Sequence, residues 1–228
     1  MYRNRDLVGT ATAQICEKIW LSIAEKRLRP GTRLKEEELA EIFDVSRARI
    51  RQALSVLESD GLVTIVPNRG AFVSEPTVDE ARDIFLVRKM VEGRVIERVV
   101  ERITPEGLGL LEDHLAAERA AHARGDTSEA IQLAGGFHMV LVSLAESPFL
   151  ESVMRDLVSR SSLITSMYRV RHIHNCAPDD HDRLIAAIRN GDAGRARAQM
   201  DLHLDHVRDE LNLSDDRPAA RDLRQALG

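Results

Sequence analysis

PGTRLKEEELAEIFDVSRARIRQALSVLESDGLVTIVPNRGAFV, residues 30–73, decides the fold. Ser46 is a residue type that caps helix N-termini. Behind it Ile50, Leu54 and Leu57 recur at i, i+4 and i+7, an inward stripe that predicts a helix to about Ser59. Asp60-Gly61 ends that helix. Two short runs rich in β-branched residues follow, Leu62–Val66 and Ala71–Val73, parted by Pro67-Asn68-Arg69-Gly70, and they predict a hairpin. Upstream, Leu34–Phe43 reads as a short helix with Leu39, Ile42 and Phe43 apolar, joined to the next by the tight Asp44-Val45 connection. Before the Arg29-Pro30-Gly31 turn, Leu7–Leu28 reads as a further helix carrying Ile15, Ile19 and Ile23 at helical spacing.

Working outward, Ser74-Glu75-Pro76-Thr77 reads as a linker. Beyond it the pattern is helical, broken at Pro105, Gly125, Pro148, Pro178 and Gly191, with no strand alternation. The expected fold is mainly α: a winged helix-turn-helix of three helices and a β-hairpin over residues 1–76, then an all-α helical bundle over 77–228. The polar tail after Ser214 is expected to fray. Length, at 228 residues, suits one large domain or two small ones, so a boundary is worth seeking. No stretch approaches the roughly 20 apolar residues of a membrane span. MYRNRDLVGT has no apolar run, so no signal peptide is expected. Cys16 and Cys176 form no disulfide framework, which suits a reducing cytoplasm.

Charge is distributed unevenly. The net charge is −5, yet residues 1–76 hold 12 basic and 11 acidic side chains while 77–228 hold 20 and 26. That excludes uniform coating of nucleic acid and leaves room for a local basic head. The third helix supplies one: Arg47, Arg49 and Arg51 fall within five residues at its start, with Ala48 and Ser55 small enough for close approach. Guanidinium forks match phosphate oxygens and the O6/N7 edge of guanine, and a recognition helix reads bases with its N-terminal residues. Such a cluster by itself is equally a solvated face; the short turn before it and the hairpin after it favour DNA. Arg69-Gly70 at the hairpin tip forms a wing able to approach the backbone or minor groove.

Residues 30–73 resemble the winged helix of the GntR family of transcription regulators. The family commonly has Thr-Pro-Val where this chain has Ala48-Arg49-Ile50. The resemblance implies Ser46, Arg47, Arg49, Arg51 and Gly70 as DNA-facing positions, whereas Glu36-Glu37-Glu38 argues against a further contact from the second helix. Residues 79–213, through DIFLVRKMVEGRVIERVV, GGFHMVLVSLAESPFL and DDHDRLIAAIRNGDAGRARAQMDLHLDHV, resemble the FCD ligand-binding domain of the FadR subfamily. Many members hold a divalent metal through an Asp four residues before a His and two later His. The matching positions are His138, His181 and His203, with Ala134 where the aspartate would stand.

Read alone, each histidine lies on an apolar helix face, where a neutral core imidazole is the commoner outcome. Three on three helices point instead to a metal, zinc first and nickel or another transition ion next. The missing carboxylate leaves a position for water or an acidic effector. His114, His122, His172, His174 and His206 match no ligand position and are expected at the surface. Arg88 falls on the inward stripe Ile84, Val91, Val95, Val99, so it needs an anion, either Glu92 one turn on or an effector carboxylate. Ser161 and Thr165, in an unusually polar helix segment, are candidate pocket donors.

The resemblance implies a sequence-specific regulator, expected to be a repressor, whose binding to operator DNA responds to a small organic acid held near the metal. Half-site logic implies a homodimer. The alternative is a three-histidine metalloenzyme with an accessory DNA head. That requires a general base beside the histidines, for which Asp182 is the near candidate.

Overall fold

The computed structural model describes residues 10–25, 27–168, 177–212 and 227. The expectations for residues 7–9, His172, His174, Cys176 and the tail after Ser214 fall outside that set, Leu227 apart, which is fully buried. The described chain runs α1 (Ala11–Ala24), β1 (Arg33–Leu34), α2 (Glu36–Phe43), α3 (Arg47–Ser59), β2 (Val63–Val66) and β3 (Gly70–Val73), then six helices. These are α4 (Val78–Arg102), α5 (Pro105–Arg124), α6 (Thr127–Leu144), α7 (Pro148–Tyr168), α8 (Ala177–Arg189) and α9 (Ala193–Asp209).

Local chemistry accounts for the boundaries. Thr10 caps α1, so that helix opens at Ala11 and closes at Ala24, short of Leu28. Ser46 accepts from Arg49 N at the start of α3, a cap worth about 1 kcal/mol. Asp44, with φ 51°, supplies the left-handed residue that lets α2 turn tightly into α3. Pro67 and the left-handed Asn68 occupy the two central positions of a turn closed by Arg69 N donating to Val66 O, the residues a type II turn favours. Thr77 and Glu80 form a reciprocal capping box at α4, and Pro105 opens α5.

One expectation needs correcting. Leu34 does not begin α2; with Arg33 it forms β1, antiparallel to β3 through Arg33–Phe72 and Leu34–Ala71, in a three-stranded sheet of order β1-β3-β2. The stripe Ile50, Leu54, Leu57 is buried as expected against Ile15, Ile19, Ile23 and Leu39. Burial of each such side chain stabilises by roughly 1.5–3 kcal/mol. Cys16 sits in the same core, and burial above all, with Asp60 second, pushes its thiol up to about 12. It is an inert packing residue.

The helix α7 links the two ends of the chain. Its Leu163 is buried in the winged-helix core, and its Tyr168 hydroxyl donates to Pro76 O in the linker at 2.8 Å. Its Arg160 lies over Gly61, where a Cβ would come within 2.6 Å of the guanidinium carbon. Gly61 also has φ +69°, so only glycine suits the exit from α3. A second core, from Val95, Ile96 and Val99 of α4 to Met200 and Leu204 of α9, fills the helical region.

Candidate functional site

Two sets of side chains carry chemistry, one at each end of α7's contacts. In the first, Ser46, Arg47, Arg49 and Arg51 are all exposed along the outer face of α3, and Arg69 and Gly70 are exposed at the hairpin tip. Arg69 leans over the Phe72 ring, its guanidinium carbon 5.8 Å from the centroid. Two of the three arginines of α3 carry a counter-charge. Arg47 donates from Nη1 to Glu37 Oε1, and Arg51 donates from Nε to Glu36 Oε2, both at 2.8 Å. The acidic run at the start of α2 therefore lies directly beside the arginine face.

The second set is buried. His138 of α6, His181 of α8 and His203 of α9 place ligand-capable nitrogens within 4.8 Å of one another, so they can hold a metal ion. Their ring centroids are 4.7–5.7 Å apart, and Phe137 stacks on His181 at 3.9 Å. Each imidazole is oriented by a carboxylate. His138 Nδ1 lies 2.5 Å from Glu92 Oε2 and His181 Nδ1 lies 2.8 Å from Glu118 Oε2. His203 Nδ1 is 3.4 Å from Asp180 Oδ2, which His206 also reaches at 2.9 Å. An Nδ1–H engaged by a carboxylate leaves Nε2 as the lone-pair nitrogen, the arrangement that fixes tautomer and ring angle at metal-binding histidines. His181 Nε2 is buried and has no hydrogen-bond partner, which is what a ligand atom awaiting a cation looks like. The donor set fits a transition metal.

These carboxylates correct the sequence reading. Asp182, the near candidate for a general base, points outward and pairs with Arg119 at 3.6 Å. Glu92, Glu118 and Asp180 do the work at the histidines, all on the Nδ1 side, away from the convergent edge. Glu118 was detectable as a lone carboxylate on the stripe Leu111, Leu115, Ala121. Asp180 was hidden because it precedes His181 in sequence yet serves His203 on another helix. Nor are all the remaining histidines surface residues: His114, His122 and His206 are half-buried, and His114 Nε2 reaches Leu133 O at 2.8 Å.

Arg88 does what its inward stripe demanded. It donates from Nε to Glu92 Oε1 at 2.7 Å and from Nη1 to Ser161 Oγ at 2.9 Å, while Nη2 is buried without a partner. Glu92 thus bridges Arg88 and His138. Thr165 lies one turn beyond Ser161, half-buried. Burial opposes the charge on Glu92, but Arg88 and His138 outweigh it and hold the carboxyl down to about 2. Asp180 is likewise held well below the carboxylate range despite burial, by hydrogen bonds from His203, His206 and Arg183. Burial pushes the Glu118 carboxyl up.

Burial is also the main reason that His138 and His203 fall to about 4 and His181 well below its ordinary value. At neutral pH all three are neutral, as metal ligation requires. The metal-free fold should therefore weaken on acidification. Between pH 6.5 and 4 the unfolded chain binds protons that these buried rings refuse, so stability falls as pH falls through that window. At pH 5 the loss is roughly 2 kcal/mol for each of His138 and His203. Urea unfolding of chelator-treated protein at pH 7 and pH 5 should show this, with a shallower decline in His203→Gln. Equal midpoints at both pH values would contradict it.

Residues 83–206 match the FCD domain family, and residues 11–73 match the family described as bacterial regulatory proteins, gntR family. The chain is 28% identical to the HTH-type transcriptional regulator YdhC of Bacillus subtilis, over 78% of this chain and 80% of that protein. It is 26% identical to the HTH-type transcriptional repressor RspR of Escherichia coli, over 81% of each. The solved structure of E. coli McbR/YncC superposes with a TM-score of 0.73 at 21% identity, covering 86% of this chain and 94% of that one, a likeness of fold. Among the described residues no helix is long and apolar enough to cross a membrane.

Proposed function

Because this chain belongs to the gntR family of bacterial regulatory proteins and carries its FCD domain, we propose that it is a cytoplasmic, homodimeric repressor that releases its operator when a small carboxylate binds beside a metal. Residues 1–76 act as the reading head and 77–228 as the sensor. The observation that carries the reading is the exposed arginine face of α3 beside the wing, joined through α7 to a buried three-histidine cluster.

In this reading Arg47 and Arg51 address base edges, while Ser46, Arg49, Arg69 and Gly70 meet the phosphate backbone or the adjacent minor groove. His138, His181 and His203 hold a divalent ion. Zinc suits an all-imidazole set, and nickel or a related ion is the next choice. Such an ion supplies a Lewis-acidic position for a carboxylate or water oxygen. Arg88, with its unpartnered Nη2, and Ser161 supply donors to the same anion, and Thr165 extends that polar side of α7. An anion competing for Arg88 disturbs its bond to Ser161. The neighbouring Arg160 bears on Gly61 at the exit of the reading helix. That is a physical route from sensor to head.

The metalloenzyme alternative fits less well. A hydrolytic base belongs on the open edge of the site, and the carboxylates in contact with the three rings lie behind them on Nδ1.

The test is an electrophoretic mobility shift on DNA from the protein's own gene neighbourhood, over a range of salt, with and without small di- and hydroxycarboxylates. The expected result is a sequence-specific complex that dissociates with one of these acids. Absence of specific binding at every salt concentration would overturn the reading. The same acid, at 100 times its dissociation constant, should stabilise the metal-loaded protein by about 2.7 kcal/mol, or about 5–10 °C in Tm.

A further inference from the structure

The helix α4 has a stripe that no other element covers. Leu86 is 58% exposed, Met90 66% and Val87 41%, consecutive along the outer side of the helix. Leu202, 43% exposed, stands on α9, which is tied to α4 by Lys89–Asp205 and Glu97–Arg197. Four of the seven large apolar side chains exposed among the described residues thus belong to α4 and the helix beside it. Scattered singly they would need no explanation, but the three on α4, gathered on one line, mark a contact surface.

The charges along that line say what the contact is. At 100° per residue, Asp83, Leu86, Met90 and Arg94 share one face. Asp83 and Arg94, both exposed, flank the apolar centre on opposite sides, and their midpoint falls within one residue of the midpoint of Leu86 and Met90. A surface with apolar residues at its centre and opposite charges equidistant from that centre is complementary to itself under a two-fold rotation.

We infer that the outer stripe of α4, Asp83–Leu86–Val87–Met90–Arg94, is the seam on which two copies of this chain pair antiparallel, each Asp83 facing the other copy's Arg94. The inference rests on the dimeric reading proposed above and adds its surface and register. Arg94, itself exposed, donates to the half-buried Glu97 on its own helix, an ion pair open enough to water that little is lost when it reaches across. The pairing also has a consequence for DNA. Thr77, where α4 begins, lies about 17 Å along the helix from the seam's centre. The two helix starts are therefore about 35 Å apart, close to the one-turn spacing of operator half-sites.

The experiment is sedimentation equilibrium on the full, metal-loaded chain and four variants: Leu86→Glu with Met90→Glu, Asp83→Arg, Arg94→Asp, and the double exchange Asp83→Arg with Arg94→Asp. All the substituted side chains are exposed, so the fold should persist, and far-UV circular dichroism and metal content verify that. The parent should be dimeric and the apolar double variant monomeric. Each single charge reversal, which acts twice in a symmetric dimer, should weaken dimerisation about ten-fold or more, and the double exchange should restore it. A monomeric parent would overturn the dimeric reading itself. A dimeric parent whose Leu86→Glu, Met90→Glu variant is also dimeric would leave that reading intact and overturn the seam. Single reversals that weaken the dimer without rescue by the double exchange would overturn the register.

Discussion

Replacing His138 and His181 together by alanine is expected to lower bound transition metal from about one ion per chain to nearly none. Three imidazoles converge, and each is held by a carboxylate that directs its other nitrogen inward. Removing two leaves a single ligand, which is far too weak to retain an ion through purification. Elemental analysis of the purified proteins gives the answer, and equal metal content in parent and variant would eliminate the site. His181 is fully buried and stacked on Phe137, so the double substitution also carries a packing cost. A gentler pair of variants separates the two effects. Glu92→Gln and Glu118→Gln keep the volume and every ligand, yet should weaken metal affinity 10- to 100-fold, the usual effect of losing a ligand's orienting partner. Ala134 lies one turn before His138 on α6, so Ala134→Asp offers a fourth ligand on the same face and should tighten binding. If neither glutamine variant changes affinity, the carboxylates are bystanders.

The division between what was legible in the residues and what was not follows the range of the interactions. The α3 helix was readable because its cap, its stripe and its Asp60-Gly61 exit all lie within about 16 residues of one another. The hairpin was readable for the same reason, and so were the starts of α5 and α7 at Pro105 and Pro148. The β1 strand was not, since its two residues are extended only because Phe72 and Ala71 pair with them some 40 positions away. The histidines stood out as polar residues on apolar faces. Their convergence, and the carboxylates behind them, depend on how α4, α5, α6, α8 and α9 pack. Glu92 illustrates the limit: four residues from Arg88 it was an evident partner, whereas its bond to His138 spans 46 positions and two helices. The burial of Leu163 in the winged-helix core was equally invisible, because a leucine on an amphipathic helix does not announce which core it joins.

Arg47→Ala combined with Arg51→Ala is expected to weaken specific DNA binding by at least 1,000-fold, on the order of 4 kcal/mol, while non-specific binding falls much less. A bidentate arginine–guanine contact is worth about 1–3 kcal/mol of discrimination, and a two-fold symmetric operator meets each substitution twice. The opposing term is small. Both arginines must first leave Glu37 and Glu36, but these are exposed ion pairs, each worth about 0.2–1 kcal/mol. Base contacts are therefore expected to win, with the acidic run of α2 as a modest brake. It follows that Glu36→Gln should move affinity the other way, tightening binding several-fold and more on non-operator DNA than on the operator, because it removes repulsion from any phosphate backbone. Arg49→Ala provides the contrast. Exposed, and without an ion pair among the described residues, it should lower affinity nearly uniformly across sequences and reduce the salt dependence by about one unit of slope per subunit. Fluorescence anisotropy titrations of the operator and a scrambled duplex at several salt concentrations separate the three outcomes. Equal losses on both duplexes for Arg47→Ala, Arg51→Ala would show that this face holds the backbone and that the bases are read from elsewhere.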